Sequence, residues 1–136
     1  MPQDFIVEEA QNDETISSIE PKDKIPEPIP KHRTLYFDLI KVGVSTLDVV
    51  DRLAYLLGIP ESRIGFAGIK DPLAFTAQRI SLPKTKFENL PDLSGESFIL
   101  TNGYYSKGRL LKGQLLGNRF TISFNNSYIT FKSYII

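Results

Sequence analysis

One acidic side chain in this sequence stands in an unusual setting. Asp71 lies in Gly68-Ile69-Lys70-Asp71-Pro72-Leu73-Ala74-Phe75-Thr76-Ala77-Gln78, directly after the apolar run Ile64-Gly65-Phe66-Ala67. Glycine, aspartate and proline between hydrophobic segments are the usual makings of a turn, and that is one reading of the stretch. The other is a carboxylate presented for chemistry. A strand over residues 64–67, continuing through an elbow at Gly68, sets Asp71 at a sheet's edge, and Lys70 and Arg79 are placed to favour its ionised form. An ordinary aspartate, with a pKa of ~3.9, is anionic at neutral pH in any case. Such a group suits a nucleophile, or the stabilisation of an oxocarbenium-like sugar carbon.

A second constellation runs from Lys107 to Phe120. Lys107, Arg109 and Lys112 are spaced by glycines and leucines, and Gly117-Asn118-Arg119-Phe120 closes the run. Bases supply phosphate contacts, and an exposed ring stacks on an unpaired base for ~1–3 kcal/mol. An asparagine amide bonds either a base edge or a carboxylate. A basic hairpin with Phe120 in the core accounts for the same residues without any nucleic acid.

The bulk properties narrow the classes. The 136 residues suffice for one domain or a large part of one, at ordinary globular composition. There is no cysteine and His32 is the single histidine, which leaves no material for disulfides, thiolate metal sites or a multi-histidine centre. No apolar run reaches the ~20 residues of a membrane helix, and the acidic start is unlike a signal peptide. A cytoplasmic protein, not associated with membranes, is the expectation. The net charge of zero hides a gradient. Residues 1–30 hold eight acids against Lys22 and Lys24, whereas residues 97–136 hold five bases and no acid. That asymmetry favours an anionic partner for the C-terminal part.

The elements that must position these groups read as α+β. Strands are expected at Asp4–Glu8, Arg33–Lys41, Ile64–Ala67, Arg79–Leu82, Phe98–Tyr105 and Arg119–Phe124. One long helix starts at Thr46 as N-cap and ends at Gly58, with Val50, Leu53, Ala54 and Leu57 as its core stripe. Residues 10–30 are acidic and proline-dotted and read as a loop, and residues 84–97 as a polar connection with one helical turn. After the Asn125-Asn126-Ser127 turn, Tyr128 to Ile136 read as a strand whose partner is missing, or as a divergent or truncated tail.

In order along the chain, these segments resemble the TruD family of tRNA pseudouridine synthases. Asp4-Phe5-Ile6-Val7-Glu8-Glu9 looks like the family's N-terminal strand, and Leu39-Ile40-Lys41-Val42-Gly43 with Thr46 like its strand–turn–helix. Gly65-Phe66-Ala67-Gly68-Ile69-Lys70-Asp71 with Ala74, Thr76 and Gln78 is similar to the family signature. Residues 110–120 look like its basic G-x-L-x-G-N-x-F run. The likeness spans residues 4–124, and Pro72 departs from it, since a basic residue usually stands there.

The resemblance implies an α+β catalytic domain with a mixed, largely antiparallel sheet and one long helix. It implies isomerisation of uridine to pseudouridine, at position thirteen of tRNA in the family, with no cofactor and no metal. Asp71 is then the catalytic aspartate. Phe5, Lys70, Asn118 and Phe120 are the expected substrate-binding residues, Asn118 orienting the aspartate and Phe120 stacking on the target base. Lys107, Arg109, Lys112 and Arg119 are expected along the RNA backbone. Family members are longer, so residues 1–124 are expected to be the N-terminal part of the catalytic domain and 125–136 a divergent or truncated tail. Two other readings stand beside it: a non-catalytic RNA-binding remnant, and a fragment that needs a second chain to complete the catalytic domain.

Overall fold

Period-two alternation sets the architecture. In the strand Thr34–Lys41 (β2), Leu35, Phe37 and Leu39 are fully buried on one face. In Phe75–Pro83 (β4), Ile80 and Leu82 continue the same apolar surface, because β4 pairs antiparallel with β2 over its length. The 12-residue helix Thr46–Leu57 (α1) lays Val49, Val50, Leu53 and Ala54 on that surface. Phe98, Leu100 and Tyr105 of Phe98–Ser106 (β5) complete the core. Removing one buried leucine such as Leu53 from such a core costs about 2–5 kcal/mol.

The computed structural model describes residues 5–13, 15–21, 34–70, 74–83, 95, 97–106, 108, 110, 111, 113–124 and 127–134. The remaining strands among them are Phe5–Gln11 (β1), the two-residue Gly65–Phe66 (β3), Leu115–Phe124 (β6) and Ser127–Tyr134 (β7). They form a sheet in the order β5-β2-β4-β1-β6-β7, with β3 beside β4. Only β1 and β4 run parallel among these pairs, so the sheet is mixed and largely antiparallel, as expected. The parallel pair requires a long crossover, and that crossover carries β2, α1 and β3.

Several local expectations shift. Ser45, rather than Thr46, caps α1: its hydroxyl accepts from Asp48 N at 3.0 Å, and the Thr46 hydroxyl is engaged elsewhere. Gly58 does end the helix, in the left-handed conformation at φ 66° that favours glycine. The strand expected over Ile64–Ala67 shrinks to Gly65–Phe66, whereas β1 and β4 extend beyond their expected bounds. The C-terminal segment is a strand, and it has a partner, since β7 pairs with β6 from Gly117↔Tyr134 to Phe124↔Ser127. Of the acidic loop, the described residues are tied down: Ile16 bridges Ala10, and Ser17 N donates to Glu9 O at 2.9 Å. The connection at 84–94 lies outside the described residues.

Candidate active site

The helix-bearing face changes character toward one end. Along β2 the residues facing α1 run Leu35, Phe37, Leu39, Lys41, and along β4 they run Leu82, Ile80, Gln78, Thr76. Leu39 therefore pairs with Gln78, and Lys41 with Thr76. The three polar or charged residues at this end, Lys41, Gln78 and Thr76, are all buried, Lys41 at 1% exposure. The start of α1 marks the boundary. Thr46 Oγ1 donates to Gln78 Oε1 at 2.7 Å, and Gln78 Nε2 donates to the Gly68 carbonyl at 2.8 Å.

What these polar groups hold is the segment Ala67–Lys70. Lys70 is fastened at three atoms by three elements. Its N–H donates to Thr46 Oγ1 of α1 at 3.0 Å. Its carbonyl accepts from Lys41 Nζ of β2 at 3.3 Å. Its ammonium meets Glu9 Oε2 of β1 at 2.9 Å, with the Glu9 side chain wholly buried. Glu9 Oε1 takes further bonds from Gln11 Nε2 and from the Arg79 amide, so the carboxylate is well satisfied. Buried ion pairs persist where such additional hydrogen bonds repay part of the desolvation. The Thr46 hydroxyl spends its proton on Gln78 and accepts from Lys70, which fixes the direction of the chain of bonds. Gly68 does not need to be glycine for backbone reasons: a Cβ there would meet only ordinary contacts, the nearest at 3.5 Å.

The same face continues across β1 onto β6. Thr76 pairs with Val7 and Val7 with Phe120, while Glu9 pairs with Asn118 and Phe5 with Ile122. Phe5 and Phe120 sit diagonally and stack, with ring centroids 6.0 Å apart and planes 12° from parallel. Strands lie ~4.8 Å apart, so Phe120 starts about 10 Å from Thr76 along this row. Asn118 Oδ1 is buried without a hydrogen-bond partner among the described residues. Such an orphan is uncommon in a folded protein and is typical of positions with a functional demand.

Asp71, Lys107, Arg109 and Lys112 lie outside the described residues. Of the others, Phe5, Asn118 and Phe120 come together on one face, beside the anchor of Lys70. Lys70 itself is turned inward: its ammonium serves Glu9 and not an open surface. Arg119 departs from its expected company. Adjacent strand residues alternate faces, and its guanidinium is taken by Glu8 on the opposite side, through Nε at 2.9 Å and Nη2 at 2.7 Å. The basic stretch is nevertheless joined to the signature, since Gly113 N donates to the Ala67 carbonyl at 2.8 Å. Among the described residues no group of three or more histidines or carboxylates is close enough to hold a metal ion, and no helix is long and apolar enough to cross a membrane.

Sequence reasoning gave Lys41, Glu9, Thr46 and Gln78 no part in the site. The signal for Lys41 was available: it extends the alternation Leu35, Phe37, Leu39 and therefore occupies a core-facing position. A lysine there demands polar company.

The family profile described as tRNA pseudouridine synthase D (TruD) matches residues 1–132. The chain belongs to the TruD family. A probable tRNA pseudouridine synthase D 1 of Methanocaldococcus jannaschii is 37% identical over 125 residues, 89% of this chain and 31% of that protein. A tRNA pseudouridine synthase D of Sulfurimonas denitrificans is 35% identical over 121 residues, 89% of this chain and 30% of that protein. The crystal structure of a putative TruD from Methanosarcina mazei superposes with a TM-score of 0.71 at 27% identity, covering 89% of this chain and 25% of that one. The chain thus spans about a third or less of the TruD relatives it matches. The match extends beyond Phe124 into β7, further than the motif resemblance alone reached.

Proposed function

We propose that this chain is the aspartate-bearing N-terminal portion of a tRNA pseudouridine synthase catalytic domain, with Asp71 as the catalytic carboxylate. The observation that carries this reading is the fastening of Lys70. Three bonds, to α1, β2 and β1, fasten Lys70, the residue that precedes Asp71 in the sequence, and Asn118, Phe5 and Phe120 lie on the same face of the sheet.

The reaction needs that arrangement. The N1–C1′ bond of a uridine breaks, the uracil turns while held, and C5 joins C1′ in its place. A carboxylate beside the ribose either stabilises or traps the electron-poor C1′, or assists the proton shift that begins elimination. Taking a base out of its stack costs a few kcal/mol, and an aromatic platform such as Phe120, braced by Phe5, returns ~1–3 kcal/mol. Asn118 supplies an amide within the same rows to orient the carboxylate, and Lys107, Arg109 and Lys112 supply phosphate contacts from a stretch bonded to Ala67. The substrate in this reading is tRNA.

The test is incubation of the chain with unmodified tRNA and mapping of pseudouridine. Product is expected from the wild type and none from Asp71→Asn; equal product from both removes Asp71 from the mechanism.

The share of the relatives' length that is matched favours a second reading, a fragment active only beside a complementing chain. The outer edge of β7 meets no strand among the described residues, and Tyr128 and Ile129 on it are exposed. Unpaired edges recruit partners, so this reading predicts concentration-dependent association in size-exclusion chromatography, and a clean monomer at all concentrations excludes it.

A further inference from the structure

The Glu9 carboxylate that meets the Lys70 ammonium at 2.9 Å has a further claimant, from outside the signature and the basic run. Gln11 Nε2 donates to Glu9 Oε1 at 3.1 Å and to Ser17 Oγ at 2.7 Å. Exposure is 1% at Gln11, 0% at Glu9 and 1% at Ser17. The β1–β4 register ends at Glu8↔Ala77, and beyond it Glu9 Oε1 accepts from the Arg79 amide at 3.2 Å. An unbroken line of polar contacts therefore runs Ser17–Gln11–Glu9–Lys70, from the acidic loop after β1 to the signature segment.

Packing alone does not call for a glutamine at this position. Gln11 Oε1 is buried without a hydrogen-bond partner among the described residues, and an unpaired buried polar atom costs free energy that a leucine there would not. Glu9 accepts and does not donate, so the amide meets it through Nε2 and the oxygen is left over. What offsets the orphan is the pair of donated bonds, one of them to a charged acceptor away from water, where such bonds are strong. The loop is closed back on β1 by Gln11 N to Thr15 O at 2.8 Å and by Ser17 N to Glu9 O at 2.9 Å. Its far end is tied to the opposite face, where Ile19 N donates to Glu8 Oε2 at 2.9 Å. Among the described residues, Gln11 is thus the side chain through which the loop reaches the Glu9–Lys70 pair.

We propose that Gln11 is a positioning residue: it couples the docking of the loop at residues 15–17 to the fastening of Lys70, so that the two open and close as one unit. The inference deepens the reading of this segment as the catalytic one, and rests on it for any effect on turnover. Without Gln11, Glu9 Oε1 keeps the Arg79 amide as its partner among the described residues, and a carboxylate with fewer fixed bonds orients the ammonium less firmly. Coupling of this kind is reciprocal. A contact that holds the loop down tightens the placement of Lys70, and one that seats Lys70 quiets the loop.

The test is native-state hydrogen exchange of the full chain, read at two amides by NMR and corrected for their intrinsic rates. The Ser17 amide, bonded to Glu9 O, reports the loop, and the Lys70 amide, bonded to Thr46 Oγ1, reports the signature segment. In the wild type the two protections are expected to agree within about threefold, as members of one opening unit. Gln11→Leu is expected to separate them by about tenfold or more, the loop opening without Lys70. Ser17→Ala, which leaves the Gln11–Glu9 bond in place, is expected to separate them by about three- to tenfold. A purely structural role for Gln11 moves both amides alike and leaves their ratio unchanged, which overturns the proposal. A wild-type ratio of about tenfold or more also overturns it, even where Gln11→Leu fails to fold. In a turnover assay Gln11→Leu lowers kcat more than it changes KM, because so buried a side chain meets no substrate. Product that survives Asp71→Asn, or none from the wild type, overturns instead the catalytic reading of the segment, and the exchange ratio still decides the coupling.

Discussion

Glu8 and Glu9 are neighbours on β1, leave opposite faces of the sheet, and are each claimed by a cation from a distant motif. Glu9 takes Lys70 at 2.9 Å with side-chain exposures of 0% and 6%, whereas Glu8 takes Arg119 at 2.7 Å with 6% and 32%. On Glu9's side the pair is sealed within the rows that carry Lys41, Thr76 and Gln78. On Glu8's side the guanidinium reaches water, and the second carboxylate oxygen is occupied by the Ile19 amide at 2.9 Å. Two adjacent residues of the same type thus do different work: one fastens the signature segment, the other fastens an arm and a hairpin to the back of the sheet.

The largest effect is expected on the sealed pair. Glu9→Ala leaves the Lys70 ammonium buried and alone, a change that costs about 3–5 kcal/mol, measurable by urea denaturation of the purified chain. The double variant Glu9→Met with Lys70→Met removes both charges and is expected to recover most of that loss. If the double variant is no more stable than Glu9→Ala, the cost lies in packing and not in the orphaned charge.

Next comes the contrast between neighbours on β6. Phe120 faces Glu9's side and Arg119 faces Glu8's. Phe120→Ala is expected to weaken binding of unmodified tRNA about ten- to a hundredfold, the equivalent of one lost stacking contact. Arg119→Ala is expected to change it by less than about threefold, because its guanidinium is spent on Glu8. Filter binding at fixed salt compares the two, and an equal loss from both would put RNA on the back of the sheet as well.

Local signals were readable in the sequence and long-range pairings were not. The end of α1 at Gly58 follows from one residue's conformational freedom, and the stripe of Val50, Leu53 and Ala54 follows from helical periodicity. The extent of β1 did not, because Ala10 and Gln11 are drawn into the strand by pairing with β6, more than a hundred residues along the chain, on whose far side β7 waits. Thr46 and Ser45 present the same hydroxyl at the same helix start. What separates them is Gln78, 32 residues away. The Phe5–Phe120 stack joins residues at opposite ends of the chain, and only strand order brings them together. Family motifs named Glu9, Thr46 and Gln78 without saying what they hold; geometry supplies that, since motif residues here mostly touch one another and the Lys70 backbone.

A smaller loss is expected at the open pair. Glu8→Ala removes two bonds that Arg119 donates to one carboxylate oxygen, from a side chain that can rehydrate, together with the bond from Ile19, so about 1 kcal/mol is expected in the same urea titration. A value near that for Glu9→Ala would mean that burial does not separate the two faces as their exposures indicate.

The smallest effect belongs to Asp13, on the back face beyond Glu8. Burial raises its pKa, but bonds from the Thr15 hydroxyl and amide and the nearby Arg79 guanidinium outweigh that, and the net is a carboxyl below its ordinary value. A group depressed on folding adds stability above its unfolded pKa of ~3.9 and loses it as pH falls through the folded value. The contribution is modest because Asp13 is largely in water. Thermal midpoints of the wild type and Asp13→Asn are therefore expected to differ slightly at pH 6 and to converge as the pH is taken below about 4. A gap that persists at pH 3 would assign the difference to the Thr15 and Arg79 hydrogen bonds, which an amide can partly keep, and not to charge.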